Sequence, residues 1–362
     1  MIIDKDFVGG NINVLSISGD MVDLAGELRD STTDWFYWAF RVRGAAGRRI
    51  TFRFPHKTRV GYWGAAVSRD MRSWRWTGNR GEEKLDGKVT AESFEYSFAP
   101  DEDEVYFAHD IVYTPDRFFD FCREEGITPE TLCISERGRE VPCIKIGKGE
   151  KKIIMASRHH CCESTGTYVL ESVLHSFIAS PIEGYQIFCV PFVDFDGVID
   201  GDQGKNRAPW DHNRDYPIDG SSSIYSACRA IRDFSDNNTI AYAFDFHSPY
   251  HKGGQNDKVY IPYPYAEDAA RLDRFSDILE KKITKDSLPY DKRHNFPADT
   301  DWNKSTNPTF ARYMINCAGR PMALTLETPY FGNPENASVT TLSSLSALGK
   351  CLYEALREYI QN

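Results

Sequence analysis

His160 and Glu163, three residues apart in His-Cys-Cys-Glu, pair an imidazole nitrogen with a carboxylate oxygen at a spacing that lets both reach one ion. Such donors suit zinc, which takes nitrogen, oxygen and sulfur ligands and keeps one position open in catalytic sites. Alone, the pair is a weak signal. Further on, His247 closes the apolar run that starts at Ile240, and Glu327 closes the one that starts at Met322. Charged or metal-competent groups at the ends of apolar strands are costly to bury without a partner. Each of these residues, taken singly, reads more simply as a satisfied or solvated polar group. Together they point to a site. His160, Glu163 and His247 would complete a two-histidine, one-glutamate set for one zinc ion, which polarises a carbonyl and lowers the pKa of water to about 7. Glu327 is then the expected general base, taking a proton from water and passing it to a leaving amine.

The segment between the proposed ligands, Gly204-Lys-Asn-Arg-Ala-Pro-Trp-Asp-His-Asn-Arg-Asp215, has the means to hold a substrate. Arg214 offers the planar fork that grips a carboxylate through two parallel hydrogen bonds, with the Asn213 amide beside it. A free α-carboxylate is what an enzyme acting at a chain end must recognise. Arg207 is a second cation, expected to face the oxyanion that develops on a scissile carbonyl.

These groups need a scaffold. Residues 1–113 read as all-β: the segments 35–43, 49–54 and 93–98 are aromatic, β-branched and of strand length, and glycines punctuate them. An antiparallel sandwich is expected there, with the aromatic side chains mostly in its core. Past Thr114-Pro115 the pattern changes to alternation, and residues 114–362 form the second expected domain. Strands are expected over 141–146, 152–157, 186–193, 240–246, 259–263 and 321–326. Helices are expected over 116–125, 164–179, 222–234, 266–284, 308–318 and 338–360. This predicts an α/β fold with a mixed, mostly parallel sheet flanked by helices. In such sheets ligands sit beyond the carboxyl ends of the strands, where His160, Glu163, Asp194, His247 and Glu327 all fall.

The bulk numbers exclude other classes. The chain of 362 residues is 41% hydrophobic and 27% charged, an ordinary globular composition, and too long for one core. A net charge of −10 argues against a nucleic-acid partner, and no apolar run has membrane-spanning length. Nine scattered cysteines and the lack of a secretory signal after Met1 suggest reduced thiols and a cytoplasmic protein.

With these residues in place, the chain resembles the zinc metallocarboxypeptidase family, and within it the cytosolic carboxypeptidase branch, several of whose members trim glutamates from tubulin. The resemblance rests on His160-x-x-Glu163, His247, the clamp Asp211-His-Asn213-Arg214, Leu326-Glu327-Thr328, and Asp194-Phe-Asp-Gly-Val198 in place of the family's Asn-Pro-Asp-Gly-Val. In the front region, Trp35-Phe-Tyr-Trp-Ala-Phe-Arg-Val42 and Asp101-Glu-Asp-Glu-Val-Tyr-Phe-Ala-His109 are similar to that branch's own β-sandwich. The resemblance implies one zinc ion and hydrolysis of the C-terminal peptide bond of a peptide or protein tail bearing a free carboxylate. It also implies a side-chain pocket near 308–318, where Arg312 would favour an acidic terminal residue. Three departures stand out. Cys161-Cys162 replace the usual Pro-Gly, bringing thiols to the metal motif. The branch's oxyanion arginine falls nine residues before the clamp asparagine, where this chain has Gly204, so Arg207 or Lys205 must serve. Tyr313 is the candidate for the tyrosine that closes the site in pancreatic relatives.

Two other functions share these residues. One is a zinc amidase acting on N-acyl amino acids or cell-wall peptides. The other is an inert binding protein, which the intact ligand set and Glu327 disfavour.

Overall fold

The computed structural model describes residues 1–33, 35–55 and 59–362. Among the described residues, ten strands make up the front region: β1 (Ile2–Asp4), β2 (Asn13–Ser18), β3 (Met21–Ala25), β4 (Ala39–Arg43), β5 (Arg49–Pro55), β6 (Ala66–Ser68), β7 (Arg75–Trp76), β8 (Gly81–Leu85), β9 (Lys88–Ser97) and β10 (Glu104–Ala108). They form two five-stranded sheets, ordered β1-β4-β10-β6-β7 and β2-β3-β5-β9-β8. All pairs are antiparallel except β3 with β5, which run parallel. Burial alternates along strands such as β5, pointing one face of each sheet inward, so that Phe40, Val42 and Phe107 of one meet Phe52, Phe54 and Phe94 of the other, all buried. The Phe40 and Phe52 rings lie 5.2 Å apart, and those of Phe94 and Phe107 5.5 Å.

The expected strand over 35–43 begins only at Ala39. Before it, the Tyr37 amide donates to Gln203 Oε1 at 2.9 Å, so this backbone bonds to the later part of the chain and not to a ladder. Asp30 does likewise, accepting from the Gln203 and Gly204 amides at 2.8 and 3.1 Å. The front region thus clasps the segment that carries Lys205 and Arg207.

The second region holds α1 (Pro115–Glu124), β11 (Glu130–Ile134), β12 (Glu140–Gly147), β13 (Lys151–Ser157), α2 (Thr165–Ala179), β14 (Tyr185–Val190), α3 (Phe195–Asp200), α4 (Ser226–Asp236), β15 (Ile240–His247), α5 (Ala269–Lys282), α6 (Phe310–Asn316), β16 (Met322–Glu327) and α7 (Leu342–Gln361). Its sheet runs β11-β12-β14-β13-β15-β16, parallel from β14 to β16 and antiparallel at the β11 and β12 edge. Thr114 caps α1 ahead of Pro115, as that proline predicts.

Two readings need correction. No strand forms over 259–263: this segment crosses the end of the sheet and pairs only at isolated bridges, one of them Tyr260 with Glu327. Pro262 and Pro264 lack the amides a ladder needs. The run 186–193 ends as a strand at Val190, because Pro191 follows, and the Val193 amide then donates to Ser157 O at 3.1 Å.

Candidate metal centre

The first ligand candidates leave β13 through a strained turn. Arg158 adopts φ 59°, a region L-residues rarely occupy, and its buried side chain holds the turn by donating to Cys161 O at 2.6 Å and Tyr113 O at 3.0 Å. Glu163 then sits just ahead of α2. Gly166 in that helix's first turn lets it approach the end of β15, since a Cβ there would come within 2.9 Å of Phe246 C. Thr165 Oγ1 bonds Ser248 Oγ at 2.6 Å and Thr328 O at 2.9 Å, tying together the three elements that carry Glu163, His247 and Glu327. His247 and Glu327 are register partners on neighbouring parallel strands, so they leave the sheet on the same side.

The structure brings His160, Glu163 and His247 together: one ligand atom from each lies within 4.8 Å of the others. Glu163 Oε1 is 2.9 Å from His160 Nδ1, Oε2 is 2.7 Å from His247 Nδ1, and all three side chains are buried. The far nitrogens also face carboxylates, His160 Nε2 with Asp211 at 3.1 Å and His247 Nε2 with Asp245 at 2.8 Å. A neutral imidazole carries one N–H. Four ring nitrogens on four carboxylate oxygens therefore set two lone pairs against lone pairs unless a cation lies among them. The charges agree: His247 is held well above the usual histidine pKa because Asp245 and Glu163 outweigh its burial. Glu163 is held well below the carboxylate range despite its burial, by His160, Lys205 and His247. A field that would hold an extra proton holds a divalent ion equally well, and carboxylates behind metal-binding histidines fix their tautomer. These residues fit a metal.

A second group with ligand spacing, His159, Asp245 and His247, shares one residue with the first. We favour the first group. His160 and His247 line an open cavity, whereas His159 is fully buried with both nitrogens bonded.

The cavity, of about 450 Å³, is also lined by Trp35, Lys205, Asp211, Asn213, Arg214, Tyr250, Tyr260, Arg312 and Glu327. Among the described residues Glu327 Oε2 is buried without a hydrogen bond, and burial, with Glu163 nearby, raises its pKa. Asn213 accepts from the Phe310 amide at 3.0 Å and sets its Nδ2 3.1 Å from His247 Nε2. Arg214 Nη1 donates to Asn213 O at 2.9 Å. Arg312, 3% exposed on α6, bonds only neutral oxygens: Pro264 O at 3.0 Å, Asn303 Oδ1 at 2.8 Å, and Asn307 O and Thr309 Oγ1 at longer range. Among the described residues neither arginine has a carboxylate within 4.0 Å. Burial, with Arg214 nearby, brings Arg312 down to about 10.

Other expected residues lie elsewhere. Arg207 turns away from the cavity, paired with Asp194 and facing Asp30 at 3.3 Å and Asp202 at 3.6 Å, because three buried aspartates demand a cation. Lys205 enters the cavity instead. Its Nζ lies 3.1 Å from Glu163 Oε1 and 5.8 Å from the Trp35 ring centre. Burial works against its charge, but Glu163, Glu327 and Asp211 outweigh it and raise its pKa. Tyr313 donates to Asp236 at 2.6 Å, outside the cavity, whose tyrosines are Tyr250 and Tyr260. The vicinal thiols point away from the donor set: Cys161 Sγ donates to Asp202 O at 3.2 Å, Cys162 Sγ meets Tyr330 Oη at 3.9 Å, and burial raises both. Asp245 was missed in the sequence, though Asp-x-His at the end of a strand places both side chains on one face. His159, Tyr216 and Trp35 carried no comparable signal.

Residues 3–109 match the cytosolic carboxypeptidase N-terminal domain. An uncharacterised protein of Zymomonas mobilis is 22% identical over 351 residues, covering 91% of this chain and 87% of its own. The crystal structure of a metallo-carboxypeptidase from Burkholderia cenocepacia superposes with a TM-score of 0.79 at 18% identity, covering 99% of both chains. A metallo-carboxypeptidase from Pseudomonas aeruginosa, solved with (2-guanidinoethylmercapto)succinic acid, superposes at 0.76 and 19% identity, covering 100% of this chain and 99% of that one.

Proposed function

The chain has the metallocarboxypeptidase fold, with the N-terminal domain of the cytosolic carboxypeptidases over residues 3–109, and from that premise we propose a zinc-dependent exopeptidase of the cytoplasm that removes C-terminal residues, preferring acidic ones. One observation carries this reading: in a single cavity, a buried two-histidine, one-glutamate set and Glu327 face two arginines that, among the described residues, have no carboxylate within 4.0 Å.

His160, Glu163 and His247 would hold the ion. When bound, zinc supplies a Lewis acid for the scissile carbonyl. Glu327, whose raised pKa makes it a stronger base than a solvated glutamate, accepts the proton of the attacking water and delivers it to the leaving amine. Lys205, held charged among carboxylates, is the cation available to the developing oxyanion. Arg214 takes the terminal α-carboxylate. Arg312, buried and bonded only to neutral groups, takes a side-chain carboxylate, whose charge offsets the cost of burying the guanidinium.

The test is a panel of peptides differing in the last residue, run with and without a chelator beside N-acyl amino acids and cell-wall peptides. Chelator-sensitive release of C-terminal Glu or Asp ahead of neutral residues is expected. Glu327→Gln should keep its zinc and lose roughly 10²–10⁴-fold in turnover, and Arg312→Leu should shrink the acidic preference roughly tenfold or more. Turnover of acyl amino acids alone would make the protein an amidase, and chelator-resistant cleavage would remove the metal from the reaction.

A further inference from the structure

The metal-centre reading leaves one buried group without a role: His159, the residue just before the first ligand. It is absent from the cavity wall, so it cannot touch substrate. Its Nδ1 lies 2.7 Å from Asp245 Oδ1 and its Nε2 2.8 Å from Tyr216 Oη, with all three side chains fully buried. The other Asp245 oxygen lies 2.8 Å from His247 Nε2. The His159 and His247 rings are parallel to within 4°, their centres 5.7 Å apart, one on each oxygen of the same carboxylate.

We propose that His159 is a positioning residue: held by Tyr216, it locks the Asp245 carboxylate and, through it, the orientation and tautomer of His247. The inference rests on the metal reading above.

One arrangement of protons satisfies both contacts of the Asp245 carboxylate. Tyr216 donates its O–H to His159 Nε2. His159 then carries its proton on Nδ1 and donates it to Asp245 Oδ1. Asp245 Oδ2 is left to accept from His247 Nε2–H, which turns the His247 Nδ1 lone pair toward Glu163 and the position of the ion. The opposite tautomer of His159 would set a nitrogen lone pair against a carboxylate oxygen at 2.7 Å. Without a donor at 159, Asp245 loses one of its two anchors and can rotate, and a ligand whose outer carboxylate is loosened binds metal more weakly.

The test measures zinc affinity of the full chain by competition with a chelator of known affinity, alongside melting curves of the metal-free protein. His159→Phe keeps a ring in the packing against Phe310 but removes the donor, and should weaken zinc binding roughly 10–100-fold. His159→Asn restores an N–H near the Nδ1 position and should recover to within about threefold of the unaltered chain. Tyr216→Phe should fall between them. A folded His159→Phe that binds zinc as tightly as the unaltered chain overturns the inference and leaves the metal reading standing. Lower melting temperature with unchanged affinity does the same, since it marks a merely structural role. An unaltered chain that binds no zinc removes both. Should His159→Phe not fold, Tyr216→Phe decides: affinity equal to that of the unaltered chain overturns the proposal, and a loss of about threefold or more supports it.

Discussion

Two pairs of buried histidines share one loop through His247 and His251, four residues apart, and their surroundings make them opposites. At its start, His247 pairs through Glu163 with His160, and carboxylates stand behind both rings. At its end, His251 Nδ1 meets His109 Nε2 at 2.8 Å among Phe36, Tyr330 and Phe331. Among the described residues their outer nitrogens have no hydrogen bond. Burial first, then Lys252 and Arg59, hold both well below the usual histidine pKa, so this pair is neutral. Burial is common to the two clusters. What separates a metal-competent centre from an aromatic-packed interface between the front sandwich and the second region is the ring of carboxylates.

The largest effect should follow from exchanging one histidine in each cluster. His247→Ala removes one of the three proposed ligands and should weaken zinc binding roughly a thousandfold, abolishing turnover. His251→Phe should leave zinc content and kcat/KM within about threefold while costing about 1–3 kcal/mol of stability, because the His109 donor or acceptor is orphaned. Metal analysis and chemical denaturation of both variants check this. Equal loss of metal in the two would erase the distinction.

How much of this was legible follows from the same contrast. His160, Glu163, His247 and Glu327 were readable because each ends an apolar run, and a polar group there must have a reason. The sheet was readable for the same cause, through the length and boundaries of those runs. The choice between Lys205 and Arg207 was not, because it depends on Asp30, Asp194 and Asp202, which the fold brings around Arg207 from three distant places. The second pair was equally hidden, since His109 and His251 meet only when the front sandwich docks.

Asp110 gives the next effect, with opposite signs at the two clusters. It lies 4.0 Å from His109 and is fully buried. Burial, with repulsion from Glu163, pushes its carboxyl up to about 7, Arg158 offsetting only part. Between its ordinary value of 3.8 and about 7 the folded chain holds a proton that the unfolded chain has lost. Stability should therefore fall as pH rises through that window. Asp110→Asn should remove the slope and stabilise the protein at pH 8 by at most roughly 4 kcal/mol. Asp211 and Asp245 behave in reverse. Their partners hold them below the usual carboxylate range in spite of burial, so their contribution is present above about pH 4 and lost as pH falls. Melting temperatures of the metal-free chain and of Asp110→Asn at pH 5 and pH 8 give the sign directly.

The smallest effect should come from Trp35 and Phe36, neighbours in sequence that face the two clusters separately. The Trp35 ring lines the cavity, 5.2 Å edge-on from Tyr250 and 5.8 Å from the Lys205 ammonium. Phe36 lies 4.8 Å from the His109 ring and 5.2 Å from that of His251, and is 2% exposed. A cation over an indole is worth about 0.5–1 kcal/mol at a partly exposed site. Trp35→Ala should therefore raise KM for peptides about two- to fivefold through Lys205 and the cavity wall, with little change in melting temperature. Phe36→Leu keeps the apolar character but trims a packed ring, so it should cost about 1–3 kcal/mol of stability and leave KM unchanged. Steady-state kinetics and melts on the two variants place each aromatic on its side of the loop. If Trp35→Ala lowered stability and spared KM, the front sandwich would be a support for the second region and not a wall of its catalytic cavity.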